Sequence, residues 1–241
     1  MYVLGIDGGG SRTRALLCDA SGRIAGQGLS GGINPRHACT ADIRACLNEA
    51  FSQSTIGIDP SRIAAVHLGI AGASDRPTQS NIAALAREHV GGGATISVGH
   101  DLEIALVGGL GGGKPGIVLV AGTGSACYGH DTDGQSVQCG GWGDLVDDVG
   151  SGSWLGLRAL QVCVRQADGR LPESPLKGMV MDFLRIDHME GFKERIHSVG
   201  LSRRERATLA PALIQLAACG DYAAGEILSE GMEELSSLLL C

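Results

Sequence analysis

The sequence predicts an α/β protein of two lobes, and three observations support this prediction. Strand patterns and amphipathic helix patterns occur in the first half of the chain in the order βββαβαβ, which indicates a mixed sheet with helices packed against it. A strand, a turn of small residues and another strand occur at the N-terminus and again after residue 116. Of the 241 residues, 44% are hydrophobic, which is enough to bury the core of one large domain or two small ones.

Short strands joined by turns of small residues open the first lobe. The connections GGGSR and ASGR have the composition of tight turns. Thr40 is expected to cap the helix that follows, because apolar residues such as Leu47 and Phe51 then recur at helical spacing. The elements predicted for this lobe are strands at 2–7, 13–19, 24–29, 63–72 and 94–101 and helices from Thr40 onward and at 81–89.

The second lobe repeats the strand pattern and then becomes helical. Residues 116–141, GIVLVAGTGSACYGHDTDGQSVQCGG, predict three strands joined by a turn of small residues and an Asp-Gly turn. The recurrence divides the chain into lobes at 1–110 and 111–241, with the Gly-rich segment 107–116 as a flexible hinge. After the strands, helices are predicted at 151–167, 173–184, 205–218 and 221–240.

The charge pattern argues against nucleic acid and anionic membranes as partners. The formal net charge is −7, and the densest basic stretch is SRRER at 202–206. Ser202 and Glu205 there have the spacing of a capping box, so we expect a solvated helix start. No apolar run approaches the length of a membrane span and no leader pattern precedes the first strand, so a cytoplasmic location is expected.

Cysteine spacing predicts neither a disulfide framework nor a zinc site. No two cysteines form a C-x-x-C pair, and several fall inside helix or strand patterns. We therefore expect reduced, buried thiols. The cysteines are Cys18, Cys39, Cys46, Cys127, Cys139, Cys163, Cys219 and Cys241.

Two turns have the chemistry of a phosphate site. In Asp7-Gly8-Gly9-Gly10-Ser11, successive glycines let backbone N–H groups approach an anion, and Asp7 is placed to meet Mg²⁺ directly or through water. A plain hairpin with an exposed aspartate explains this stretch equally well. Gly122-Thr123-Gly124-Ser125 occupies the matching place in the second lobe, and two such turns could hold a nucleotide's phosphates from both sides.

The motifs GIDGGGSRTR, VGHD, VAGTGSACY and CGGWGDLVDDVGSGSWLGLRALQ resemble the N-acetylglucosamine kinase group, from Tyr2 to about Gln161. That group belongs to the clan of actin-like ATPases and sugar kinases, with bacterial glucosamine kinases and relatives of the benzoyl-CoA reductase ATPase subunits. The resemblance implies two actin-like, ribonuclease-H-like lobes, each with a mixed βββαβα sheet, and a cleft between them. It also implies a homodimer and ATP-dependent phosphorylation of the 6-hydroxyl of an amino sugar, with N-acetylglucosamine the favoured substrate.

The resemblance also implies roles for individual residues. Asp7 would organise Mg²⁺, and Asp101 would be the catalytic aspartate that accepts the proton of the attacking hydroxyl and contacts the sugar. From the residues alone, Asp101 is better explained as a helix cap. The two phosphate loops would be formed by Gly9, Gly10 and Ser11 and by Gly122, Thr123 and Gly124.

A further set of residues matches the positions that line the sugar pocket of the group. Trp142 offers a flat apolar face for a sugar ring or an acetyl methyl group, and its flanking glycines make a core role less natural. Asn and Asp side chains can make the paired hydrogen bonds that distinguish hydroxyl arrangements. The implied sugar-binding residues are Asn34, Ser125, Gly141, Trp142, Gly143 and Asp148.

The sequence departs from the group in one respect and leaves three rival functions open. The group continues past the last long helix into a strand and a Gly-Gly turn that contacts the adenosine, so we expect an incomplete C-terminal lobe and assign no adenosine-binding residue. A glucosamine kinase is the first rival, because DDVGSGSWLGLRALQ resembles the glucosamine kinases, whereas CGGWG resembles the N-acetylglucosamine kinases. The second is an ATPase that activates a dehydratase or reductase, with Cys127 and Cys139 as cluster ligands, and the third is a sugar sensor without catalysis.

Overall fold

The structure, a computed structural model, describes residues 1–112 and 115–241 and divides into two compact units, Met1–Lys114 and Pro115–Cys241. The sequence placed the division between residues 110 and 111. Gly113 and Lys114 of the predicted hinge lie outside the described residues. Residues 107–110 of that hinge are the last turn of a helix, which Gly111 ends in the left-handed conformation at φ 71°.

The first unit is built on a five-stranded mixed sheet in the order β3-β2-β1-β4-β5. Strand β1 is antiparallel to β2 and parallel to β4, and β4 is parallel to β5. The carboxyl ends of β1, β4 and β5 therefore share one edge of the sheet, which we call the carboxyl edge. The strands are β1 (Tyr2–Gly8), β2 (Arg12–Asp19), β3 (Ile24–Gly31), β4 (Ile63–Ile70) and β5 (Thr95–Gly99).

Helix α1 (Thr40–Ser54) packs across β2 and β3 and closes the core of this unit. The approach is close, because a Cβ at Gly26 or Gly28 would collide with the backbone oxygens of Ser54 and Ala50. Leu4, Ile6, Leu17, Leu47, Phe51 and Leu68 are among the fully buried side chains of this core. Two further helices, α2 (Arg76–Arg87) and α3 (Asp101–Leu110), belong to the same unit.

Two helices of this unit have different N-terminal caps from those that the sequence predicts. Helix α2 begins ahead of the predicted 81–89, because the carboxylate of Asp75 accepts the N–H of Thr78 at 2.9 Å. Thr40 is not the cap of α1. Cys39 holds that position, and its N–H donates to the carboxylate of Asp42 at 3.3 Å.

The second unit opens with a three-stranded antiparallel sheet, β6 (Gly116–Ala121), β7 (Ser125–His130) and β8 (Ser136–Gly140). The mixed βββαβα sheet predicted for this lobe is wrong for residues 115–241, because the three strands are followed by helices alone. The physical reason is the hydrophobic period, which changes from two to about 3.6 residues: helix α4 (Gly152–Ala167) buries Leu155, Ala159 and Val162 on one face.

Helices fill the rest of this unit, with two departures from the prediction. The single helix predicted at 205–218 is two helices, because Pro211 lacks an N–H and its ring excludes a helical carbonyl at Ala207. No helix was predicted at 190–199. No helix in the described parts of the chain is long and apolar enough to cross a membrane. The helices are α4 (Gly152–Ala167), α5 (Pro175–Leu184), α6 (Glu190–Val199), α7 (Arg203–Ala207), α8 (Ala210–Ala218) and α9 (Tyr222–Leu239).

The prediction of reduced, buried thiols is correct for Cys127 and Cys163, whereas Cys18 and Cys46 are reduced but only half-buried and the other four cysteines depart from it. Cys139 and Cys241 form a disulfide with a Cα–Cα distance of 6.4 Å. Helix α9 packs against the three strands of this unit and so brings together two cysteines 102 residues apart. Cys39 and Cys219 are exposed, whereas Cys127 and Cys163 are buried.

Candidate functional site

The carboxyl edge of the first sheet brings together most of the site residues predicted in the first lobe. Asp7 lies in β1 opposite Arg14 of β2 and Gly69 of β4. The Gly9–Ser11 turn follows directly, and Asp101 opens α3 just after β5. The parallel arrangement of β1, β4 and β5 therefore places the carboxylates of Asp7 and Asp101 at the same edge as the glycine turn.

Glycine is required by packing at only some positions of the first turn. A Cβ at Gly8 would lie 2.6 Å from the side chains of Ile33 and Ile70, so that glycine is needed for packing. Gly10 has open space at its Cβ position. The N–H groups of Gly10 and Ser11 donate no hydrogen bond within the described residues, and both are therefore free to bind an anion.

Asp101 is held at one oxygen and free at the other. Its Oδ1 accepts the N–H of Leu102 at 3.1 Å and lies 2.8 Å from Nδ1 of His100. Within the described ranges its Oδ2 accepts no hydrogen bond. Desolvation and then the negative charge of Asp101 raise the pKa of Asp7, while Arg14 and Arg12 lower it. Two carboxylates thus share this edge, an arrangement that favours a cation.

Asn34 reaches the same edge through the backbone. The N–H of Ile33 donates to the carbonyl of Gly9 at 3.0 Å, which places the Asn34 loop beside the turn. Oδ1 of Asn34 accepts the N–H of Arg36 at 2.9 Å and packs on Gly72, where a Cβ would lie 2.5 Å away. The amide nitrogen is thus the part of this side chain left for a ligand.

In the second unit, the Gly122–Gly124 turn sits on the N-terminus of α4. The N–H groups of Gly152 and Ser153 donate to the carbonyls of Gly122 and Thr123 at 2.8 and 3.3 Å. The N–H groups of Thr123 and Gly124 donate no hydrogen bond within 115–241. Free donors beside the positive end of a helix dipole favour an anion.

Ser125 is engaged inside the protein. Its hydroxyl donates to the carbonyl of Val149 at 2.6 Å, and its N–H donates to Oδ1 of Asp148 at 3.4 Å. The side chain is buried. Ser125 therefore links β7 to the loop that precedes α4.

The loop 141–148, which we call the sugar loop after the role that the sequence analysis predicts for its residues, presents an aromatic ring to solvent. Trp142 is 78% exposed, and its backbone N–H donates to Oδ2 of Asp147 at 3.0 Å. The flanking Gly141 and Gly143 have φ values of 79° and 103°, a region that other residues avoid. The expectation that Trp142 is no ordinary core aromatic is confirmed.

Asp148 ends the sugar loop in a buried position. Its side chain is 3% exposed, and its Oδ2 lies 2.6 Å from Nη2 of Arg203. Desolvation raises the pKa of Asp148, whereas the charge of Arg203 lowers it. The solvated helix start predicted at 202–206 is therefore wrong for Arg203 and also for Arg206, which pairs with Asp144, although the predicted capping box is present.

A cavity of about 670 Å³ opens beside the Gly122–Gly124 turn, a volume in the range of ligand pockets. Gly122 and Thr123 line one part of it, and Arg204 adds a cation. Sequence reasoning missed this cavity because its wall comes from four separate helices. The apolar part of the wall includes Leu155, Ala207, Ala210, Pro211, Ile214, Leu228, Met232 and Leu235.

The cysteines considered as cluster ligands are not a free pair. Cys127 and Cys139 face each other across β7 and β8, but Cys139 is bonded to Cys241. Burial raises the pKa of the Cys127 thiol. Residues 1–112 and 115–241 contain no group of three or more His, Cys, Asp or Glu side chains arranged to hold a metal ion.

Comparison with known proteins gives consistent results. The profile of the BadF/BadG/BcrA/BcrD ATPase family matches residues 4–240. An N-acetylmuramic acid/N-acetylglucosamine kinase from Clostridium acetobutylicum is 31% identical, over 97% of this chain and 76% of its own. A glucosamine kinase from Vibrio cholerae is 28% identical, over 99% and 79%. A solved structure described as a candidate N-acetylglucosamine kinase from Chromobacterium violaceum is 30% identical, with a TM-score of 0.80, over 99% of this chain and 81% of that one.

Proposed function

The chain belongs to the BadF/BadG/BcrA/BcrD ATPase family, and we propose that it is an ATP-dependent kinase of amino sugars. Relatives named as kinases of N-acetylglucosamine, N-acetylmuramic acid and glucosamine support the substrate class. The finer proposal is transfer of the γ-phosphoryl group to the 6-hydroxyl of N-acetylglucosamine, and glucosamine is the main alternative.

The cavity beside the Gly122–Gly124 turn is the observation that carries this proposal. Its apolar wall suits a purine ring, and its lining includes Thr123, whose N–H donates no hydrogen bond within the described residues. Arg204 also lines the cavity and supplies a guanidinium for phosphate oxygens. An apolar pocket whose lining includes anion-binding groups has the chemistry of a nucleoside triphosphate site.

The first unit supplies the groups that would hold the metal and the first phosphate loop. Mg²⁺ prefers one or two carboxylates together with waters and phosphate oxygens, and the carboxylate of Asp7 fits that donor set. When bound, the ion would neutralise charge on the phosphates. The free N–H groups of Gly10 and Ser11, with the Ser11 hydroxyl, would bind phosphate oxygens at the same edge.

Asp101 is proposed as the general base. Its free Oδ2 accepts the proton of the sugar hydroxyl as the hydroxyl oxygen bonds to the γ-phosphorus. The bond between the γ-phosphorus and the bridging oxygen breaks, and ADP leaves. Oδ1 accepts the N–H of Leu102, which orients the carboxylate.

Sugar recognition is proposed to use the sugar loop and Asn34. The exposed ring of Trp142 is available to an acetyl methyl group, and this favours the acetylated substrate. The amide nitrogen of Asn34 can donate to a sugar hydroxyl. The buried carboxylate of Asp148 is better suited to holding the sugar loop than to direct contact with the sugar.

A coupled assay of ADP release over a panel of hexoses and amino sugars tests the proposal. We expect turnover with N-acetylglucosamine above glucosamine and glucose, and 31P NMR of the product should show a 6-phosphate. The Asp101→Asn variant should lose turnover, while Asp75→Asn, a helix-cap aspartate of the same unit, should retain it. Sugar binding without any turnover in the wild-type protein would instead favour the sensor.

A further inference from the structure

The ion pair formed by Arg203 and Asp148 connects two parts of the second unit that the proposed reaction uses. Arg203 is the first residue of α7 and has 36% of its side chain exposed, whereas Asp148 is almost completely buried. Asp148 has a φ of 57°, a left-handed conformation that aspartate and asparagine tolerate better than most residues. A strained backbone at a buried charge indicates that the surroundings hold this residue firmly.

The same guanidinium packs on the Gly122–Gly124 turn, which we call the phosphate turn after its proposed role. A Cβ at Gly124 would collide with Nη2 of Arg203 and would lie 2.9 Å from Oδ1 of Asp148. Gly124 thus leaves room for the ion pair, in addition to offering its N–H. Oδ1 of Asp148 also accepts the N–H of Ser125. The pair therefore contacts both the turn, at Gly124 and Ser125, and the end of the sugar loop.

The charged form of Asp148 depends on Arg203, because its other charged neighbours are negative. Asp147 and Asp144, on the same loop, are negative charges that disfavour a second carboxylate nearby, and desolvation acts in the same direction. Arg203, from α7, and the N–H of Ser125, from β7, are the groups that favour the charged form. Arg206 is engaged with Asp144.

We propose that Arg203 is a positioning residue that keeps Asp148 charged inside the protein, and that this ion pair holds the phosphate turn and the sugar loop in one geometry. The inference rests on the proposed function for its effect on substrates, but the ion pair can be tested without turnover. Loss of either partner loosens both segments, so binding of the nucleotide and binding of the sugar weaken together.

Protonation of Asp148 should break the pair at low pH. In the wild-type protein, kcat/KM for both substrates should fall in acid as Asp148 takes up a proton, and Asp148→Asn should remove that contribution. An opposite charge at this distance lowers a carboxyl pKa by about 1–3. Arg203→Leu should therefore raise, by about one to three units, the pH at which kcat/KM falls to half of its maximum on the acid side. At neutral pH, the KM values for both substrates should rise at least about tenfold.

The experiment compares Arg203→Leu, Arg203→Lys, Asp148→Asn and the double variant with a matched control. The control is Arg158→Leu, because Arg158 pairs with Glu230 at the same 2.6 Å in the same unit. The measurements are KM for both substrates against pH, the melting temperature, and a 13C NMR titration of the Asp148 carboxyl. Calorimetric binding of a non-hydrolysable ATP analogue gives a readout that does not need turnover.

We expect Arg203→Leu to raise the NMR midpoint of Asp148, Arg203→Lys to restore most of it, and Arg158→Leu to leave it unchanged. The double variant should lose no more affinity than the worse single variant, because the two residues act as one unit. An unchanged midpoint in Arg203→Leu, additive losses, or a lower melting temperature with unchanged affinities would each overturn the proposal. If Arg203→Leu does not fold, Arg203→Lys and Asp148→Asn decide it by the same criteria. A wild-type protein that binds the analogue but phosphorylates no sugar would refute the kinase while leaving this test in force.

Discussion

Replacement of Asp101 by asparagine gives the sharpest test of the proposed chemistry. In the structure, Oδ1 of Asp101 accepts the N–H of Leu102, so Oδ2 is the oxygen left to accept a proton. In Asp101→Asn the same N–H keeps the carbonyl oxygen in place, and an NH₂ group, which cannot accept a proton, takes the position of Oδ2. A general base typically contributes about 10²–10⁴ in rate, which corresponds to about 2.7–5.5 kcal/mol of barrier.

The same substitution should change the titration of Asp7 in a fixed direction. The charge of Asp101 raises the pKa of Asp7, so its removal should lower that pKa. Asp7 then stays ionised to lower pH, so the acid side of the Mg²⁺ dependence should begin at a lower pH in Asp101→Asn than in the wild-type protein. This shift together with a loss of rate is not expected from a variant that merely misfolds.

The assay is steady-state ADP release with N-acetylglucosamine, together with calorimetric sugar binding and Mg²⁺ titrations at several pH values. Asp75→Asn serves as the control, since its carboxylate caps α2. A kcat for Asp101→Asn within about threefold of the wild-type value would remove Asp101 from the role of general base, since that role carries at least about 10². A loss of sugar binding equal to the loss of rate would make it a sugar ligand instead.

Three further substitutions test the remaining parts of the site. Asp7→Ala should raise the Mg²⁺ concentration needed for half-maximal rate and leave sugar affinity nearly unchanged, and an unaltered Mg²⁺ titration would contradict the metal role. Trp142→Ala should cost about 10–200-fold in kcat/KM for N-acetylglucosamine and less for glucosamine, because a methyl-sized apolar contact is lost; equal losses would make the ring a scaffold group. Ile214 lies in the wall of the cavity with 51% of its surface exposed, so Ile214→Trp should fill the cavity and raise KM for ATP alone. An equal rise in the KM for the sugar would show that this cavity is not the nucleotide site.

The sequence by itself determined the local structure and the positions of the small-residue turns. Hydrophobic period and turn composition act over a few residues, so the three opening strands, both glycine turns and the helical character after residue 151 followed from them. The residues of the carboxyl edge could also be predicted, because parallel strands place Asp7 and Asp101 at one end of the sheet. Helix ends were less accurate, since caps such as Asp75 and breaks such as Pro211 act one residue at a time.

Only the tertiary structure decided which distant segments meet. The Arg203–Asp148 pair, the cavity wall and the Cys139–Cys241 disulfide each join residues far apart in the chain. The composition of SRRER suits a solvated helix equally well, and only the packing of α7 makes Arg203 the partner of a buried carboxylate. The physical reason is that periodicity records which face of an element is apolar, whereas an ion pair or a cavity depends on the element that packs against that face.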